Sequence, residues 1–199
     1  MSQMELFTAA RALPEGFVYE PDFISAEQEE TLLQELARLE FSEIKMHGVV
    51  AKRRAAHFGR NYEYQRAAIA PGAPIPEFLL PLRERVAAFA GRRSEEFEEV
   101  LVTEYPAGAG IGWHRDAPAF DIIAGVSLVA ACTMQFRPWP AEQSGGVRRR
   151  PLAQILEPRS AYIIRGPSRT RWQHHIPAIK SRRLSITFRT LRHSPGGKP

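Results

Sequence analysis

Two short stretches of this chain hold most of the side chains that could do chemistry. Trp113-His114-Arg115-Asp116 places a histidine and an aspartate two residues apart. On a strand, positions i and i+2 point to the same face. His114 and Asp116 can therefore offer a nitrogen and an oxygen to one cation, although a lone His-x-Asp also arises by chance or as a hydrogen-bonded pair. Arg171-Trp172-Gln173-His174-His175-Ile176-Pro177 begins 55 residues after Asp116 (171 − 116) and could bring a third ligand on a later strand. Two histidines and one carboxylate leave coordination positions open, the arrangement suited to non-haem Fe(II) and dioxygen. The residues themselves leave open whether His174 or His175 takes part, or whether the two are a surface pair or a satisfied core histidine.

A third stretch, Arg183-Leu184-Ser185-Ile186-Thr187-Phe188-Arg189, alternates strictly. Leu184, Ile186 and Phe188 form one face; Arg183, Ser185, Thr187 and Arg189 form the other. Such a strand ordinarily turns its polar face to solvent. Inside a barrel, the two arginines would need an anionic partner, because an unpaired buried charge is costly. A dicarboxylate supplies two anionic ends. The arginines stand six residues apart, roughly 20 Å at about 3.3 Å per residue, so only their long side chains could converge on one small molecule. Arginine suits bidentate carboxylate binding.

These residues need elements to position them. Ser25 and Gln28 read as a capping box, and Leu32, Leu33, Leu36 and Leu39 recur at helical spacing, so a helix is expected over residues 26–40. Phe78, Leu79, Leu82, Val86 and Phe89 predict a second helix over about 76–90, ended by Gly91. From about residue 98 short β-prone runs alternate with Gly/Pro turns. They are Val100–Tyr105, Ile111–Arg115, Gly125–Phe136, Gln154–Leu156, Ala161–Arg165, Trp172–Ile176 and Leu184–Leu191. This order predicts an antiparallel double sheet or barrel with the two helices packed outside.

The 199 residues suffice for one domain with a sizeable core. Hydrophobic residues at 44% and charged residues at 25% fit a globular protein. No apolar run is long enough to span a membrane, and Met1-Ser2-Gln3-Met4-Glu5 lacks the order of a secretory signal, so a cytoplasmic location is expected. Cys132 is the one cysteine, read as a buried strand residue; no internal disulfide is possible, and any metal site must use His, Asp or Glu. The net charge of +5 and pI of about 9.7 are compatible with a polyanionic partner.

The motifs together resemble the AlkB-like family of Fe(II)/2-oxoglutarate-dependent dioxygenases. The matching pieces are Thr103-Glu104-Tyr105-Pro106-Ala107-Gly108, Ile111-Gly112-Trp113-His114-Arg115-Asp116, Val126-Ser127-Leu128, Trp172-Gln173-His174 and the Arg183–Arg189 strand. A weaker echo lies at His57–Tyr64. The resemblance implies a mainly β fold with flanking helices (α+β), a double-stranded β-helix (jelly-roll) core with two N-terminal helices packed outside. A single domain over 1–193 would divide into N-terminal helices and a substrate lid (1–97) and the catalytic core (98–193), followed by a disordered tail, 194–199. His114, Asp116 and His174 would be the metal ligands and catalytic residues, the Trp-x-His-x-Ile spacing selecting His174. Arg183, with Ser185, Thr103 and Tyr105, would hold the distal carboxylate of 2-oxoglutarate, and Arg189 would lie near the end that chelates iron. Many relatives carry Asn at the positions of Thr103 and Ser185; a hydroxyl still hydrogen-bonds a carboxylate.

The family chemistry couples decarboxylation of 2-oxoglutarate, with dioxygen, to hydroxylation of a C–H bond. On an N-methyl group the hydroxylated product falls apart to formaldehyde and the demethylated nitrogen. Alkylated DNA or RNA is the expected substrate and partner, acted on by a monomer. Lys52, Arg53, Arg54 and Arg60 are candidates for phosphate contacts, and Tyr62 or Tyr64 for packing against the target base. Arg148–Arg150 and Arg165, Arg169 and Arg171 add charge. A solvated basic surface with core aromatics explains the same residues. The competing functions are the same chemistry on a protein side chain or small molecule, and a non-catalytic metal-binding module.

Overall fold

In the computed structural model, which describes residues 12–46, 49–63, 68–140 and 150–192, the alternating C-terminal stretch forms strand β12 (Arg183–Leu191). It lies in the middle of a large antiparallel sheet. The other strands of that sheet are β1 (Phe17–Glu20), β2 (Ser42–Met46), β3 (Val49–Glu63), β4 (Ala68–Pro71), β5 (Phe97–Tyr105), β7 (Phe120–Leu128) and β10 (Ala161–Ile164). Their order is β1-β10-β7-β12-β5-β3-β2, with β4 on the flank of β3. A smaller antiparallel sheet has the order β6 (Ile111–His114), β11 (Trp172–Ile176), β8 (Cys132–Pro138) and β9 (Leu152–Leu156). This is the expected jelly-roll.

Two cores follow from the two faces of the large sheet. Leu184, Ile186 and Phe188 of β12 join Val100 and Val102 of β5 against Leu32 and Leu36 of α1 (Ala26–Leu36) and Leu82 and Val86 of α2 (Leu80–Ala90). The second core fills the space between the sheets, with Ile123 and Tyr162 from the large one and Met134, Phe136 and Ile176 from the small one. Both faces of β12 are thus covered, and its polar face looks into the barrel.

The helix signals operate as expected locally. Ser25 Oγ accepts the Gln28 N–H at 3.1 Å, and Gln28 Oε1 accepts the Ser25 N–H at 2.9 Å. Gly91 ends α2 at φ +66°, in the left-handed region. Helix α1 stops at Leu36 rather than residue 40, because Arg38 and Leu39 donate to the carbonyls of Glu35 and Leu36 in tighter turns. A 3-10 turn, Glu77–Leu79, precedes α2.

Two expectations change. The run Gly125–Phe136 is not one strand: it breaks between β7 and β8 at Val129, whose φ is +74°. A β-branched residue rarely adopts that conformation. Glu29 of α1 holds it by accepting the Val129 N–H at 2.8 Å, and also pairs with Arg159 at 3.3 Å. The N-terminal half, read as helices and a lid, also supplies β1 to β4. The length of β3 is hidden in the sequence because Lys52-Arg53-Arg54 and Ala55-Ala56 run consecutively and break the two-residue alternation of a strand. Residues 194–199 and Tyr64 lie outside the described residues. Among the described residues no helix is long and apolar enough to cross a membrane.

Candidate active site

The polar face of β12 organises the interior. Its register sets Arg183 beside Tyr105, Ser185 between Thr103 and Ser127, Thr187 beside Gly125, and Arg189 beside Glu99. All of these side-chain-bearing positions except Glu99 and Ser127 were legible as candidates or as part of the alternation. Thr103, Ser127, Arg183 and Ser185 are buried. Gly125 has a steric reason: a Cβ there would lie 2.3 Å from Cζ of Tyr162 on β10. The glycine makes room for a ring that packs into the barrel, where burial pushes the Tyr162 hydroxyl pKa upward.

Arg183 is 1% exposed. Its Nε donates to Ser127 Oγ at 3.1 Å, and its Cζ lies 5.2 Å from the centre of the Tyr105 ring. Its Nη1 is buried without a hydrogen-bond partner among the described residues. A guanidinium so placed needs an anion. Tyr105 and Thr103 on β5, and Ser185 two residues along β12, add hydroxyls near it. This end of the barrel fits a carboxylate.

At the other end stand His114, Asp116 and His174, with one potential ligand atom from each lying within 4.8 Å of the others. His114 ends β6 and pairs in register with His174 of β11. Asp116 is not on the strand, as the spacing suggested, but in the loop beyond it. His114 Nδ1 lies 2.9 Å from the Gly112 carbonyl, which can only accept; Nδ1 therefore carries the proton and Nε2 keeps a free lone pair. Burial pushes the His174 imidazole down to about 3, with His114 adding to the effect, and burial also lowers His114. Both rings are neutral at pH 7, as ligands must be. Burial works against the Asp116 carboxylate, but the positive charge of Arg189, with Arg169 adding to it, outweighs burial and keeps it anionic. Asp116 Oδ2 is buried without a hydrogen bond among the described residues and lies 3.5 Å from His174 Nε2. Two neutral imidazoles and a bare carboxylate oxygen fit a divalent transition metal.

His175 points the other way. Its Nδ1 meets the Ile111 carbonyl at 2.6 Å and its ring lies 4.9 Å from Trp113.

Two residues that sequence reasoning missed, or misread, hold the cluster in place. Glu99 receives Arg189 Nη1 at 2.8 Å, while Arg189 Nη2 donates to Asp116 Oδ1 at 3.0 Å. Glu99 sits in an acidic run, Glu95 to Glu99, that resembles a solvated face; only its alternation with Leu101, Thr103 and Tyr105 signals an inward position. Arg169, counted above among the surface cations, is buried on the short helix α3 (Pro167–Thr170). Its Nη2 donates to the carbonyls of Asp116 at 3.0 Å, of Phe120 at 3.1 Å and of Ala117. It clamps the loop that carries Asp116.

The candidate substrate residues other than Tyr64 lie on β3. Arg54 pairs with Glu104, which Arg182 also holds at 2.8 Å. Arg60 lies 3.5 Å from Glu98, and Arg53 reaches the Gly110 carbonyl at 3.5 Å. Lys52 is exposed. Tyr62 packs edge-on against Phe120, with ring centres 6.2 Å apart, beside the inner core.

Residues 16–189 match the 2OG-Fe(II) oxygenase superfamily. The chain is 32% identical to the alkylated DNA repair protein ALKBH8 homolog of Arabidopsis thaliana, over 90% of this chain and 59% of the relative. It is 28% identical to the tRNA (carboxymethyluridine(34)-5-O)-methyltransferase alkbh8 of Xenopus tropicalis, over 92% of this chain and 33% of the relative. The chain thus spans about a third to three fifths of these relatives. The solved structure of OsALKBH1 shares the fold, with a TM-score of 0.65 over 90% of this chain and 98% of that one, at 16% identity. The chain belongs to the 2OG-Fe(II) oxygenase superfamily and is an AlkB-like dioxygenase, an enzyme that works with Fe(II), 2-oxoglutarate and dioxygen.

Proposed function

We propose that this dioxygenase oxidises, and on N-methyl groups demethylates, alkylated nucleobases in DNA or RNA. The observation that carries the reading is the cluster of buried His174 with half-buried His114 and Asp116 at one end of a barrel whose other end holds Arg183, its Nη1 unmet among the described residues. His114, Asp116 and His174 would hold Fe(II), which supplies the dioxygen activation that no side chain here can provide. Arg183, Tyr105, Thr103 and Ser185 bind the distal carboxylate of 2-oxoglutarate. Arg189 keeps Asp116 oriented beside the keto-acid end. The nucleobase assignment is supported by the net charge of +5 and by relatives named for alkylated DNA repair and for tRNA modification. The methyltransferase activity in the second name is not carried over, since the chain spans only 33% of that protein. Lys52 and Arg53 remain candidates for phosphate contacts, and Tyr62 for shaping the base pocket; Arg54 and Arg60 would have to exchange carboxylate partners for phosphate.

The test is mass spectrometry of methylated DNA and RNA pools after incubation with iron, 2-oxoglutarate and protein. Loss of a methylated base together with succinate release is the expected result. Succinate release stimulated by peptides and not by any oligonucleotide would sink the nucleobase reading and leave the dioxygenase chemistry intact.

A further inference from the structure

We infer that the outer face of the small sheet, built on Trp113, Arg115, Arg137, Trp139 and Arg171, docks the single-stranded nucleic acid flanking the target base. This rests on the nucleobase reading above. Trp113 on β6 and Arg137 on β8 alternate with His114 and with the inward-facing Met134 and Phe136, and Arg115, Trp139 and Arg171 lie one residue beyond the ends of β6, β8 and β11. The Arg137 guanidinium lies 4.5 Å from the centre of the Trp113 ring, and its Nε donates to Gln173 at 2.8 Å. The Arg115 guanidinium lies 3.5 Å from the centre of the Trp139 ring, and Trp139 is 38% exposed. Arg171 is exposed, and its carbonyl accepts the Trp139 N–H at 2.9 Å, which places it at the same rim.

The electrostatics single out this face. Strands β6, β8, β9 and β11 carry no aspartate or glutamate. None of the ion pairs among the described residues involves Arg115, Arg137 or Arg171. Arg54 and Arg60 of β3, by contrast, already face carboxylates. The small sheet therefore offers positive charge that pairs with no carboxylate among the described residues, interleaved with aromatic planes. Cations meet phosphates and indole or guanidinium planes stack on unpaired bases, which is how single strands are held without base-specific contacts. The face also adjoins the chemistry: Trp113 and Arg115 flank His114, and Arg115 precedes Asp116.

The experiment is fluorescence anisotropy of a labelled single-stranded oligonucleotide with the full chain across a salt series. Replacing Arg137 and Arg171 together by Gln should weaken binding about tenfold at low salt and flatten the slope of log affinity on log salt by about 1.4, or about 0.7 per lost phosphate contact. Arg137→Lys should keep the slope. Trp139→Ala should weaken binding by a factor on the order of 5 to 150. Replacing Arg38 and Arg93, exposed cations paired with Glu35 and Glu96, together by Gln is the matched control and should change affinity less than about twofold. Melting curves for each variant check that the fold survives. Unchanged binding in the first double variant and in Trp139→Ala, with wild type binding well, would overturn the surface and leave the nucleobase reading standing. An equal loss in the control would likewise overturn it. A glutamate-rich peptide that competes as well as the oligonucleotide would make the face an acidic-protein surface instead. No wild-type binding at low salt would overturn both.

Discussion

Arg183 and Arg189 stand on the same strand, on the same face and in the same barrel, yet their surroundings differ. Arg189 is compensated within the protein, with Glu99 on one nitrogen and Asp116 on another. Arg183 has a neutral hydroxyl, a tyrosine ring and a buried Nη1 that no described residue meets. A buried charge paired with the chain's own carboxylates is part of the scaffold, whereas one that faces no carboxylate is shaped for an anion that arrives from outside. On the function proposed above, the two arginines would divide the work: one would fix a ligand of the metal, the other would receive the cosubstrate.

The sharpest contrast is in what each loses. Glu99→Ala leaves Arg189 with one carboxylate fewer and should cost about 3–5 kcal/mol of folding stability, read from urea denaturation. Arg183→Ala should leave stability nearly unchanged. An equal loss in both variants would erase the distinction between scaffold and receptor.

Arg183→Ala should instead weaken 2-oxoglutarate binding by about 2–5 kcal/mol, measured by calorimetry on iron-loaded protein. Unchanged affinity would remove Arg183 from the cosubstrate site. At the metal end, His174→Ala should abolish turnover while His175→Ala retains much of it. The reverse result would mean that the third ligand is misassigned.

The pH dependence gives a smaller effect. The folded-state pKa of His174 is pushed from 6.5 down to about 3, so the unfolded chain binds the extra proton first as pH falls. Stability of the metal-free protein should decline from about pH 6.5 towards pH 3, at about 1.4 kcal/mol per pH unit for this one histidine. The lowered His114 and Asp116 act in the same direction. A flat melting temperature across that window would show that these groups are not held as described. Smaller again is Gly125→Ala, which should cost about 1–3 kcal/mol by pressing on Tyr162. Adding Tyr162→Ala should recover part of it if the ring is the only obstacle.

Much of this was legible in the sequence where a local pattern carried it. The alternation of residues 183–189 gave both faces of β12, and the Ser25 and Gln28 pair gave the start of α1. What stayed hidden depended on contacts between distant segments. Nothing in Val129-Ala130-Ala131 marks a turn, because the turn is enforced by Glu29, 100 residues away. Arg54 and Arg60 of β3 look like phosphate contacts until Glu104 and Glu98 of β5 are seen to meet them. Arg169 reads as surface charge until its three carbonyl partners show that it is structural.

The Arg169 clamp also bears on how quickly the protein captures its metal. Helix α3 immediately precedes β11, so one side chain ties the Asp116 loop to the strand that carries His174. The gap between two ligands is set by a guanidinium rather than by an ion. Capture then requires no refolding of the chain, and its rate should follow the shedding of water by the incoming cation. Loosening that tie would turn a fast, single-step uptake into a slow one that waits for the loop.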